Sequence, residues 1–99
     1  LDIGCGDGVW YLELRRRGVE VIGIDVSSYD LNKLKERAKK LNLKPEVVEA
    51  DAQKMPFEEK TFDKVYSIST FEHIKDDGKV FEEVSRILKP KVILVISIP

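Results

Sequence analysis

Short apolar runs alternate with amphipathic stretches along this 99-residue chain, and the alternation marks out strands and helices. Leu1 to Ile3 reads as the end of a strand that runs into the glycine-rich turn Gly4-Cys5-Gly6-Asp7-Gly8. A helix is predicted from Val9 to Arg17, closed by Gly18, because glycine occupies the left-handed position past a helix end without steric cost. Val21 to Ile24 forms a second strand that closes on Asp25. Ser27 or Ser28 caps a second helix, in which Leu31, Leu34, Ala38 and Leu41 fall three and four residues apart and build one apolar stripe. A third strand covers Glu46 to Ala50 and is followed by a loop through Met55 and Pro56. Phe62 to Ser69 reads as the fourth strand. Asp76, Asp77 and Gly78 introduce a helix whose Val80, Val84, Ile87 and Leu88 share a face, Pro90 stops it, and Val92 to Ile98 forms the fifth strand.

Strands separated by helices call for a parallel sheet, since each helix returns the chain to start the next strand in the same direction. Ligands of such sheets bind at the carboxyl ends of the strands. The glycine loop after strand one, Asp25 after strand two and Asp51 after strand three all fall at that end.

Composition narrows the function classes. Seventeen Lys and Arg against eighteen Asp and Glu leave a formal charge of −1, which gives no field for holding nucleic acid. The one basic stretch, Lys33, Lys35, Arg37, Lys39 and Lys40, reads as the solvated side of the second helix. The longest apolar run, Val92 to Ile96, is far short of the roughly 20 residues of a membrane helix, so no membrane insertion is expected. A single cysteine, Cys5, has no partner for a disulfide or a zinc site, and a cytoplasmic location is the expectation. Residue 1 is leucine and the sole methionine is Met55, which suggests a chain that is processed, cropped or lacking its first segment.

The glycine run is G-x-G-x-G behind an aspartate. In the dinucleotide pattern G-x-G-x-x-G counted from Gly4, the third place is Val9. The segment LDIGCGDG resembles the first motif of the class I S-adenosylmethionine-dependent methyltransferases, and the resemblance continues in order through VIGIDVS, EADAQKMPF, FDKVYS, FEHI and ILKP. It implies an α/β fold: a Rossmann-like doubly wound sheet, mainly parallel, of about five strands in the order 3-2-1-4-5 with helices on both faces. The family sheet has seven strands, so residues 1–99 are expected to be one S-adenosylmethionine-binding core domain, truncated from a longer chain.

What the resemblance implies for the cofactor is specific. Gly4, Cys5, Gly6 and Gly8 line its methionine end, with Asp2 favouring the ammonium. Asp25 holds the ribose hydroxyls, Asp51 accepts from the adenine amine, and the Ala52 N–H donates to the ring. Val26 and Met55 offer apolar contact to adenine, and Ser67 closes the cofactor-binding set. The chemistry suits the ligand: a zwitterion needs donors for its carboxylate, which a helix N-terminus supplies, and a carboxylate near its amine.

Taken singly, Asp25 and Asp51 read equally well as turn caps, and Cys5 as a small filler of a tight loop. Trp10 and Tyr11 either wall the site or pack against the sheet. His73, the only histidine, matches a position near the methyl acceptor and is the candidate catalytic base, while packing or capping the loop before the helix is the more common use of such a residue. Glu72 stands beside it. A small-molecule acceptor is the expectation. The family's glycine pair after Pro90 is replaced by Lys91 and Val92, so either that turn differs or the strand begins sooner. The apolar strand 92–98, left at an edge, is a surface for self-association. The rival readings are a nicotinamide-dinucleotide oxidoreductase and a binding module without turnover.

Overall fold

The computed structural model describes residues 1–68 and 77–97. Their elements are β1 (Asp2–Ile3), α1 (Val9–Arg16), β2 (Gly23–Asp25), α2 (Ser28–Lys40), β3 (Val47–Glu49), β4 (Phe62–Ile68), α3 (Asp77–Ile87) and β5 (Leu88–Ser97). The sheet has the order β3-β2-β1-β4-β5 with every pairing parallel, as expected. The order reverses at β1. Asp2 and Ile3 pair with Gly23 and Ile24 on one side and with Tyr66 and Ser67 on the other, which puts the glycine loop at the centre of the carboxyl edge.

Alternation along the strands divides the core between the two sheet faces. On one, Leu1, Ile3, Ile24 and Val65 pack with Val80, Val84 and Ile87 of α3 and with Ala52 and Met55. On the other, Cys5 and Val21 pack with Tyr11 and Leu12 of α1 and with Leu31, Leu34 and Ala38 of α2. Each large apolar side chain buried this way contributes about 1.5–3 kcal/mol.

The helix ends follow from local chemistry. Ser27 is the N-cap of α2, its hydroxyl accepting from the Asp30 N–H at 3.2 Å. Gly18, at φ +85°, closes α1: its N–H reaches the Arg15 carbonyl and that of Val19 the Leu14 carbonyl. Asn42, at φ +56°, does the same for α2, with Leu43 N–H on the Ala38 carbonyl at 2.8 Å. That reversal takes Leu41 off the apolar stripe, leaving it 45% exposed, and brings Leu43 in against the core instead.

The passage into β5 differs from the sequence expectation. α3 ends at Ile87, short of Pro90, and Leu88 already belongs to the strand. A proline disfavours helix in the residue before it and clashes with the carbonyl four residues back, so the helix stops early. The Lys60 and Thr61 N–H groups take the Arg86 and Ile87 carbonyls at 2.9 and 2.7 Å. Leu88 pairs with Phe62, but the next partners are Ile93 and Lys64, so residues 89–92 bulge from the ladder. Pro90, which has no N–H to donate, sits in that bulge. The strand thus begins sooner, and no glycine pair is required.

Candidate functional site

Three strand ends converge around residues 4–8. Gly4, Gly6 and Gly8 have φ of +74°, +56° and +91°. The Gly4 and Cys5 N–H groups share the Ile24 carbonyl at 2.8 and 3.0 Å, and the Gly6 N–H donates to Asp25 Oδ2 at 2.8 Å. Asp25 Oδ1 accepts from the Ser27 N–H at 2.9 Å. A carboxylate has about four lone-pair sites, so with one N–H on each oxygen Asp25 still has capacity for a pair of hydroxyls. Ala50 N–H binds the Asp25 carbonyl at 3.0 Å, which brings the β3 end beside it.

Gly8 is the N-cap of α1 and gives that helix no side-chain cap. The first-turn amides are therefore left for whatever occupies the loop, at the positive end of the helix. Asp7 is drawn to Arg37 of α2 at 3.2 Å, which fixes the loop's outer side. Beside it lies a cavity of ≈ 220 Å³ lined by Asp2, Gly4, Cys5, Asp7, Val9, Trp10, Tyr66 and Ile68. Whole-ligand pockets span roughly 300–1,000 Å³, so this one suits a single end of a larger ligand. Trp10, half-exposed, walls that cavity, whereas Tyr11 is fully buried against the sheet. The Tyr11 hydroxyl accepts from the Glu46 N–H at 2.8 Å and so pins the entry to β3.

Asp2 is only 3% exposed, and its Oδ2 accepts from the Tyr66 hydroxyl at 2.6 Å. Burial pushes its pKa up to about 6, and the nearby charge of Asp25 pushes the same way against the Tyr66 hydrogen bond. Among the described residues no Lys or Arg side chain pairs with this buried carboxylate, and the ammonium of an amino-acid ligand would supply the cation. Cys5 is buried and burial raises its pKa, with Asp2 and Asp25 adding to the rise, so the thiol stays protonated and inert. Its Sγ lies 2.8 Å from where a Cβ on Gly23 would stand, which makes it a filler between the loop and β2.

The remaining candidates lie further along the edge. Asp51 is exposed, with Oδ1 accepting from the Gln53 N–H at 2.8 Å. Ala52 is buried in the α3-side core, and Val26 is 70% exposed next to Asp25. Met55 is buried too, its N–H donating to Glu83 and its carbonyl accepting from Arg86. Ser67 is fully buried and donates to the Ile3 carbonyl at 3.0 Å, so its hydroxyl is committed inside the sheet. His73 and Glu72 lie outside the described residues. Tyr66 was not singled out in the sequence and Arg37 was read only as part of a solvated basic face, because nothing in the sequence reveals that the strand-four tyrosine meets Asp2 or that the second helix reaches the loop.

The family model of the methyltransferase domain matches residues 1–96. The chain belongs to the class I S-adenosylmethionine-dependent methyltransferases. This methyltransferase chain is 43% identical over 93 residues to a sterol 24-C-methyltransferase of Saccharomyces cerevisiae, covering 91% of its own length and 24% of that protein. Among solved structures, a protein from Pyrococcus horikoshii superposes with TM-score 0.91 at 37% identity, over 96% of this chain and 43% of the other. An S-adenosylmethionine-dependent methyltransferase from Aquifex aeolicus gives TM-score 0.85 at 33% identity, over 96% of this chain and 53% of that one. The methyltransferase chain therefore spans about a quarter of the yeast relative and about half of the solved structures. S-adenosylmethionine is the family's cofactor, and the loop, the uncapped helix and the buried Asp2 fit its amino-acid end.

Proposed function

We propose that this chain is the donor half of an enzyme that methylates a small-molecule acceptor. The observation that carries the reading is the pairing of Asp2, a nearly water-free carboxylate, with the uncapped amides of α1 around one small cavity. That arrangement is complementary to an amino-acid zwitterion and offers nothing to a pyrophosphate, since a buried carboxylate repels it. Val9 in place of a third glycine also opposes a dinucleotide.

In this reading the α1 amides hold the ligand's carboxylate, Asp2 its ammonium and Asp25 the ribose hydroxyls, with Asp51 and the Ala52 N–H reading adenine beside Val26. Bound S-adenosylmethionine supplies an electrophilic methyl on a sulfonium whose charge is lost on transfer, so positioning dominates and no covalent enzyme intermediate is needed. His73 takes the proton where the acceptor must lose one. The sterol named for the yeast relative favours a compact apolar acceptor, and the exposed Val9 and Trp10 at the cavity give it an apolar approach.

Among the described residues no helix is long and apolar enough to cross a membrane. β5 is the last strand of the sheet order, and the reading includes self-association along it. A single monomeric species in sedimentation at every concentration would remove that part. The function itself is tested by calorimetric titration with S-adenosylmethionine, S-adenosylhomocysteine and NAD. Binding of the first two and not the third is expected, and binding of NAD alone would overturn the assignment.

A further inference from the structure

Asp2 occupies the middle strand of the sheet, where water cannot stabilise its charge. The groups that face it come from two neighbouring strands and the loop. Tyr66 on β4 donates to it, Asp25 at the end of β2 repels it, and the protonated Cys5 thiol is neutral. Tyr66 lines the same cavity as Asp2 and the glycine loop. Burial and the neighbouring Asp2 raise the tyrosine's own pKa, so its hydroxyl remains a donor across the working pH range.

We propose that Tyr66 is a positioning residue for cofactor recognition: its hydroxyl holds the Asp2 carboxylate ionised at the cavity, ready for the ammonium of an amino-acid ligand. This rests on the reading that Asp2 receives that ammonium. The 2.6 Å bond is short and charge-assisted, and bonds of that class contribute about 1.5–3 kcal/mol. At 1.36 kcal/mol per pH unit, removing it raises the pH at which Asp2 ionises by about one to two units. Tyr66 thereby sets the lower pH limit of binding without touching the reacting atoms.

The test is calorimetric titration of the full chain with S-adenosylhomocysteine from pH 5 to 8. Methylthioadenosine, which lacks the amino-acid end, is the control ligand. Wild-type affinity for S-adenosylhomocysteine is expected to fall below a midpoint of about 6. In Tyr66→Phe, which keeps the ring, the midpoint moves up by about one to two units, and affinity at pH 7 drops about two- to tenfold. Methylthioadenosine binding stays unchanged. Asp2→Asn separates the two levels of the argument. If it weakens S-adenosylhomocysteine binding and flattens the acid limb while Tyr66→Phe leaves the midpoint in place, the role of Tyr66 is overturned and that of Asp2 survives. If Asp2→Asn binds like wild type, the reading of Asp2 falls and the proposal with it. A Tyr66→Phe loss shared by both ligands shows a general disruption of the site and also overturns the proposal.

Discussion

Gly8 carries two constraints that a methyl group would violate separately. Its φ of +91° lies in the left-handed region, where an L-residue loses about 1–2 kcal/mol. A Cβ there would stand 2.7 Å from Leu34 Cγ, 3.0 Å from Leu34 Cδ1 and 3.2 Å from Leu12 Cδ1. Leu34 is completely buried, and the nearest atom is its branch point rather than a mobile tip, so it has little room to yield. Overpacking of this kind costs about 1–3 kcal/mol, which gives about 2–5 kcal/mol in total for Gly8→Ala. Gly6 is the internal comparison: it has φ +56° but nothing within 4 Å of its Cβ position, so Gly6→Ala should cost only the backbone share, about 1–2 kcal/mol. Urea denaturation followed by far-ultraviolet circular dichroism of the two variants gives the difference directly. In a double-mutant cycle with Leu34→Ala, the overpacking share of about 1–3 kcal/mol should vanish from the cost of Gly8→Ala. Equal costs for the two glycines, together with a cycle that shows no coupling, would mean that the loop is not pressed onto α2 and that the packing argument is wrong.

Other predictions concern charge and chemistry. Asp25→Ala should weaken S-adenosylmethionine binding about ten- to a hundredfold, as expected for the loss of hydrogen bonds to a charged acceptor, and unaltered affinity in titration would remove Asp25 from the site. His73→Ala in the complete enzyme should leave cofactor affinity nearly unchanged and lower turnover, and an equal loss of cofactor binding would contradict its assignment as the base. Stability without ligand should depend on pH through Asp2, whose pKa rises on folding from 3.8 to about 6. A raised carboxyl favours the folded state most below about pH 4, and that share, about 3 kcal/mol for a gap of about two units, is lost as pH climbs through 6. Asp2→Asn should flatten this slope in denaturant titrations between pH 4 and pH 7, and a slope that persists would place the titrating group elsewhere.

The sheet was legible from the sequence because its strands and helices obey different periods and its turns carry their own chemistry. Gly18 and Ser27 mark helix ends that depend on local geometry alone. Leu41 and Leu88 were read wrongly for a common reason: both extend an apolar spacing past the true helix end, and what ends each helix is not periodicity. Asn42 reverses the chain in one case, and the carbonyl acceptors taken by Lys60 and Thr61 with Pro90 nearby end the other. The placement of the glycine loop and Asp25 was legible because positive φ at the glycines and the Gly6 N–H on Asp25 are features of adjoining strand ends. Tyr66 was not, since its significance depends on register: only the pairing of Asp2 with Tyr66 across β1 and β4 puts a hydroxyl on that carboxylate.

On the proposed reading of Asp2, the same register accounts for an aspartate in mid-sheet. An ionised carboxylate at 3% exposure, with Asp25 close by, destabilises the empty protein above about pH 6. Substituting an apolar residue would relieve that cost and remove the recognition, the usual opposition between stability and a preorganised site. A bound cation reverses the balance, because its attraction acts where solvent screening is weak. On that reading, the free energy that folding withholds at Asp2 would be recovered on binding. Tyr66 offsets part of the cost in the interval by keeping the carboxylate ionised before the ligand arrives, so that binding near neutral pH need not first remove a proton. The apolar clusters on the two faces of the sheet keep water out, and on the proposed reading that exclusion would make a single carboxylate on β1 selective for a positively charged ligand end.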